Sequence, residues 1–184
     1  MKFASALTYM LALFVVASTA RPTLEDLCGV DAVLLEESTT IIHDGEVMRI
    51  TTTSCRGFAN ITSDSFSAGL SKRAVTQCDP SPTACSILCD PSQVQPSLSD
   101  CNRLNIALDQ LTPNDFLVPA QTARGFSLGT CAFVFGNPDI VDYNVCAIGL
   151  ATRGLSIATR CMVTGFCISP GVSNNNWFVE VIHS

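Results

Sequence analysis

Apolar and polar positions along this chain follow two rhythms, and the changes of rhythm mark its elements. From Ser38 to Thr53 the stretch STTIIHDGEVMRITTT is β-rich on both sides of Asp44-Gly45. An Asp-Gly pair flanked in this way predicts a hairpin, because the tight turn needs positive φ. Cys85-Ser-Ile-Leu-Cys89 reads as a short strand. Leu98, Cys101, Leu104, Leu108 and Leu111 then recur at three- and four-residue steps, the helical rhythm, within 96–111. Ser97 or Ser99 can cap that helix and Pro113 stops it. Cys101 falls on the apolar stripe, which predicts a helix stapled to the sheet beneath it.

Phe116–Pro119 and Gly125–Phe135 read as further strands, the second aromatic and β-branched enough to be buried on both faces. Gly136-Asn137-Pro138-Asp139 breaks it. A second helix is expected from about Asp142 to Arg160, with Cys146, Leu150, Gly154, Ile157 and Cys161 on one face. Gly149 and Gly154 weaken its propensity and are expected where the helix lies close to the sheet. Phe166–Ile168 and Trp177–Ile182 close the pattern as strands. The expected fold is α/β of the α+β kind: a two-layer sandwich, with an antiparallel sheet of about five strands packed with two helices and stapled by disulfides.

The first twenty residues add a compartment. Lys2, the apolar run Leu11–Val16 and the small residues Ser18 and Ala20 make 1–20 a secretory signal peptide, with an apolar stretch too short for a membrane span. No later run is apolar enough to cross a bilayer, so the expected localisation is extracellular and secreted. In that compartment the 10 cysteines favour disulfides. Cys28 and Cys55 precede the dibasic pair Lys72-Arg73; Cys78, Cys85, Cys89, Cys101, Cys131, Cys146, Cys161 and Cys167 follow it. Both groups are even, so each side can close its bridges without the other, and the spacing leaves the partners open. Cys85 and Cys89 have the look of a metal half-site, but no matching half-site follows, so no metal and no cofactor are expected.

Lys72 and Arg73 end a Ser- and Gly-rich stretch that also carries the glycosylation sequon Asn60-Ile61-Thr62. Two readings stand: a kexin-type protease cuts after Arg73, or the pair is a solvated bump in an uncut loop. The first divides the chain into a signal peptide (1–20), a prosegment containing the hairpin (21–73) and a cysteine-rich domain (74–184). Charge divides at the same point. Beyond Arg73 the cations are Arg103, Arg124, Arg153 and Arg160, against Asp79, Asp90, Asp100, Asp109, Asp115, Asp139, Asp142 and Glu180, a balance of −4. Phosphate backbones would be repelled, which argues against a nucleic-acid partner.

Catalytic signals are sparse. His183 is the sole histidine after Arg73, and it sits next to the last residue printed, where fraying is expected. No nucleophile-elbow pattern is present. The aspartates lie mostly beside Pro, Gly or Asn, where capping and turn formation explain them. What remains is chemistry suited to binding. Asn174, Asn175, Asn176 and Trp177 bring amides and the only tryptophan to one loop–strand junction, with Tyr143, Asp142 and Arg124 as further polar-aromatic candidates. An indole face plus amides and a carboxylate would suit a sugar ring and its hydroxyls. Equally, Trp177 could fill the core and the Asn run could be a turn.

The succession C…CxxxC…SDC, then GTCAFVF, DYNVC, C…GFC and NWFVEV resembles the small cysteine-rich secreted proteins of basidiomycete fungi. Among these it is similar to the mushroom glycan-binding (secreted lectin) family, over roughly 78–183. That resemblance implies an antiparallel α/β sandwich, binding of a glycan or glycoprotein, and a homodimer formed through the sheets. More loosely, the Lys-Arg junction before a cysteine-rich module resembles fungal killer toxins and effectors acting on other cells. The expected function is thus non-catalytic carbohydrate binding outside a fungal cell. A kexin-processed toxin or effector is the alternative, and a small secreted hydrolase comes third.

Overall fold

The computed structural model describes residues 28, 32–42, 45–55, 58, 74–79, 81, 84–162, 164–170 and 175–184. The expected signal peptide, Asn60, Lys72, Arg73 and Asn174 lie outside the described residues.

The elements in chain order are β1 (Val33–Ile41), β2 (Val47–Ser54), β3 (Val75–Gln77), β4 (Ser86–Asp90), α1 (Leu98–Asp109), β5 (Asp115–Val118), β6 (Thr122–Leu128), β7 (Cys131–Asn137), β8 (Tyr143–Cys146), α2 (Ala147–Cys161), β9 (Thr164–Ile168) and β10 (Phe178–His183). The hairpin around Gly45 forms, with Ile41 opposite Val47 and Gly45 at φ 75°. Strands β1-β2-β6-β7-β10-β9-β4 lie side by side in a seven-stranded sheet, antiparallel throughout. A separate three-stranded sheet has the order β3-β8-β5, with β3 parallel to β8.

The chain is therefore α+β with two main helices, but the expectation of about five strands in one sheet is corrected to seven, with a smaller sheet beside it. Three local effects account for the change. The hairpin β1/β2 does not stand apart: β2 pairs with β6 from Arg49 opposite Ser127 to Ser54 opposite Thr122. Gly125–Phe135 is a hairpin rather than one strand, because Gly129 takes φ 59° and turns β6 back as β7. A side chain there would also strike Asp100, whose carboxylate oxygen lies 2.5 Å from the place a Cβ would occupy. Finally, Tyr143–Cys146 is a strand, so the second helix begins only at Ala147.

Alternation sorts the large sheet into two faces. Met48, Phe126, Phe133, Phe135, Val179 and Val181 point inward to the principal core, where α1 contributes Leu104 and Leu108, and α2 contributes Leu150 and Ile157. The small sheet supplies Phe116, Val118, Tyr143 and Val145 to the same core. Close helix–sheet contact at Gly154 holds as expected: a Cβ there would sit 2.5 Å from the Phe133 ring. Gly149 instead faces Arg153 and the backbone of Gln77 and Asp79. The outward face carries a second apolar cluster of Ala123, Val134, Phe166 and Phe178, covered by Cys28, Cys55 and Phe58.

The disulfides are Cys28–Cys55, Cys78–Cys146, Cys85–Cys167, Cys89–Cys161 and Cys101–Cys131, with no cysteine left free. Cys101–Cys131 joins α1 to the sheet, as the apolar stripe predicted. Beside it, Asp100 accepts hydrogen bonds from the Thr130 backbone N–H and hydroxyl, both at 2.7 Å, and from Arg103 at 2.6 Å. Arg103 also reaches Glu46 on the β1/β2 hairpin. Ser97 stands at the N-cap position of α1, but its side chain makes no capping bond; its N–H donates to the Thr130 hydroxyl at 2.8 Å.

The two hydrogen bonds from Thr130, followed by Arg103, hold the Asp100 carboxyl at a pKa of about 2, below its usual 3.8. A carboxylate lowered in this way stabilises the fold fully above its unfolded pKa, and the contribution fades as pH falls through the folded value. Stability should therefore drop between about pH 4 and pH 2. Denaturant midpoints measured across that window should fall less steeply for Asp100→Asn than for the parent, and equal slopes would refute the assignment.

Candidate functional site

Two places on the molecule bring together binding chemistry. The first is the loop–strand junction before β10. Trp177 is only 2% exposed and Tyr143 is fully buried. Phe135 stacks against the indole at 5.8 Å, and the Arg153 guanidinium lies over the ring at 4.5 Å. The indole N–H donates to the Asn175 side-chain oxygen at 2.7 Å, which also accepts from the Gln77 amide at 3.3 Å. The Tyr143 hydroxyl donates to Asp139 at 2.8 Å and accepts the Asn176 backbone N–H at 3.0 Å. Burial, then the bond to Asp139, pushes the Tyr143 hydroxyl above its ordinary pKa.

Asn175, Asn176, Trp177 and Tyr143 are thus brought together, as a locked turn built onto the core. Trp177 has no room for a sugar ring on its face. Asp142 and Arg124 lie elsewhere, one holding a loop and the other strand β5. The Asp142 carboxylate accepts the Ala120 N–H at 2.9 Å, and Arg124 donates to the Leu117 carbonyl at 3.1 Å with its guanidinium 5.8 Å from the Phe116 ring.

Arg153 is the unusual member of this cluster. It is 1% exposed, its Nη2 donates to the Asp79 carbonyl, and Nε and Nη1 have no hydrogen-bond partner among the described residues. Burial lowers its pKa, with the Asp79 charge opposing the effect. Stacking on Trp177 is the interaction that compensates a guanidinium held there.

The second place is a groove of about 240 Å³ on the outward face of the large sheet. Arg49, Thr51 and Thr53 of β2 form one wall; Ala123, Gly125 and Ser127 of β6 lie beside them. Gly125 keeps the floor low, since a Cβ there would come within 3.0 Å of the Thr51 hydroxyl. Arg49 is also paired with Glu37 of β1 at 2.7 Å. The groove therefore offers hydroxyls and a guanidinium over a largely apolar floor that includes Ala123, Gly125, Val134 and Ile182. Its constellation was hidden in the sequence, because each strand shows only its own every-other-residue triplet. The pairing of β2 with β6 that joins the triplets spans some seventy residues (Thr51 opposite Gly125).

Among the described residues no three His, Cys, Asp or Glu side chains group as a metal site. His183 ends β10 paired opposite Cys131 and is exposed. No helix among the described residues is long and apolar enough to cross a membrane. Comparison with protein-family models, characterised proteins and solved structures finds no match for this chain.

Proposed function

We propose that the protein is a secreted, non-catalytic binding protein whose ligand is a glycan, seated in the outward groove. The observation that carries this reading is the groove itself: about 240 Å³, lined by Arg49 and the hydroxyls of Thr51, Thr53 and Ser127, which offer donors and acceptors together. Sugar hydroxyls need both kinds of group, and the pairing of Arg49 with Glu37 beside the groove offsets a charge that would otherwise select for an anion. Five disulfides fit an oxidising extracellular setting.

A glycan array probed with the whole secreted protein tests the proposal. Arg49→Ala should weaken any glycan that binds by about tenfold or more, the scale of losing a charge-assisted hydrogen bond. Its thermal midpoint should barely move, because an exposed ion pair contributes little to stability. Binding to no glycan, or undiminished binding by the variant, would remove this reading.

A second reading, a kexin-processed toxin or effector, is favoured by one observation. The Cys28–Cys55 bridge closes ahead of Lys72-Arg73 and the other four close after it, so a cut between them breaks no cross-link. Growth inhibition or necrosis of a target cell by the processed protein would decide for it.

A further inference from the structure

We propose that the segment ahead of Lys72-Arg73 is a permanent, non-covalently held subunit, and that the outward groove is a composite site to which both pieces contribute. The groove part of this inference rests on the glycan reading above; the subunit part stands without it.

Several contacts among the described residues bind the two pieces. Strand β2 is hydrogen-bonded along its length to β6, so the hairpin extends the large sheet instead of lying on it. Met48, fully buried, fills the inward core alongside Phe126 and Leu128. On the other face Cys28, Cys55 and Phe58 cover Ala123, Val134, Phe166 and Phe178, and Phe58 meets Phe178 edge-to-face at 5.7 Å. Glu46 pairs with Arg103, and the Cys55 N–H donates to the Gln121 carbonyl at 3.0 Å. The early piece thus grips β6 and its neighbours from both faces and along the edge.

None of this is covalent. Cys28 and Cys55 pair with each other, and every other bridge lies between Cys78 and Cys167. Cutting the chain between Phe58 and Ala74 leaves association, among the described residues, to packing, β pairing, the Cys55–Gln121 hydrogen bond and the Glu46–Arg103 ion pair. Loss of the early piece would expose Met48's pocket on one face and Phe178 on the other, and would leave β6 with an unpaired edge. Exposed apolar surface and an open strand edge are both unfavourable in water, which holds the pieces together. The groove lies across this seam: Arg49, Thr51 and Thr53 belong to the early piece, Gly125, Ser127 and Ala132 to the later one. A domain of 74–184 alone would carry half a site.

The test begins with the secreted protein, treated with a kexin-type protease and run on native size-exclusion and on a denaturing, non-reducing gel. The expected result is one native species at the uncut elution volume that separates into two bands in denaturant without reductant. Native separation overturns the proposal, and so does a single band that separates only on reduction. Should the protease leave Lys72-Arg73 intact, no separate subunit forms and that part of the proposal falls, leaving the non-covalent docking and the composite groove to be tested. A variant with that dipeptide replaced by another protease's recognition sequence then supplies the cut and the same readout. Phe58→Ala, cut in the same way, should release its early piece at a denaturant concentration clearly below that for the parent. Equal release would remove the outward-face contact from the argument. Any glycan bound by the uncut protein should be retained by the cut complex and lost when the early piece is stripped away. Retention by the stripped form would overturn the composite site.

Discussion

Trp177→Ala should cost about 3–5 kcal/mol of stability, the range for removing a large buried aromatic. For a chain of this size that corresponds to a fall of roughly 10 °C in the thermal midpoint. The loss has two parts. A cavity opens beside Phe135, and the Arg153 guanidinium loses the ring it lies over, 4.5 Å away, while its Nε and Nη1 have no hydrogen-bond partners among the described residues. Thermal unfolding followed by far-ultraviolet circular dichroism measures it. A midpoint within 2–3 °C of the parent's, about 1 kcal/mol or less, would mean that Trp177 is a surface platform after all. Because the chain has a single tryptophan, its fluorescence offers an independent check in the parent. Emission should be that of a buried indole and should shift red only on unfolding.

Removing the Cys101–Cys131 bridge by paired serine substitution should cost about 3–4 kcal/mol, from the closure entropy of its loop. The cysteines are 30 residues apart. This bridge has an adjacent, non-covalent partner in the Asp100–Thr130 hydrogen bonds, one residue away from each cysteine. The two should couple. Denaturant titration of the cysteine pair, of Asp100→Asn and of their combination should give a combined loss that differs from the sum of the parts by at least 0.5 kcal/mol, as for groups sharing one contact. Strict additivity would show that the two links act independently.

Both predictions bear on how far the sequence could be read. The stripe Leu98, Cys101, Leu104, Leu108 located α1 because a helix is local, and its buried residues are set by a spacing visible in the chain. The landmarks Ser99-Asp100-Cys101 and Gly129-Thr130-Cys131 stood out as cysteine neighbourhoods. That they face each other, disulfide to disulfide and carboxylate to threonine, depends on the turn at Gly129, which an apolar run through Gly125–Phe135 disguised. Gly149 and Gly154 were read together, yet only Gly154 meets the large sheet, while Gly149 faces the end of β3; which glycine of a helix faces what is fixed by its neighbours in space.

The candidate site was less legible for the same reason. An aromatic beside three asparagines suits a sugar platform and a locked turn equally well. The difference is the placement of Phe135 and Arg153 around the indole, and neither is near Trp177 in sequence. The hairpin at Asp44-Gly45 was predicted from its turn chemistry, but its docking onto β6 is a pairing between distant strands that no local signal encodes.

The large sheet also has unequal ends. Strand β1 is a nine-residue border, exposed along nearly its whole length, with Val33, Leu34, Leu35 and Ile41 in solvent. Its opposite border, β4, has five residues and is tied inward by Cys85–Cys167 and Cys89–Cys161. Two copies meeting β1 to β1 about a two-fold axis would each spend the long border and have none left to offer. Growth would stop at the pair, whereas a head-to-tail fibre would need a long strand to match a short tethered one. The long apolar border is thus the margin of the sheet at which another strand would most readily add, and β4 the margin least open to it.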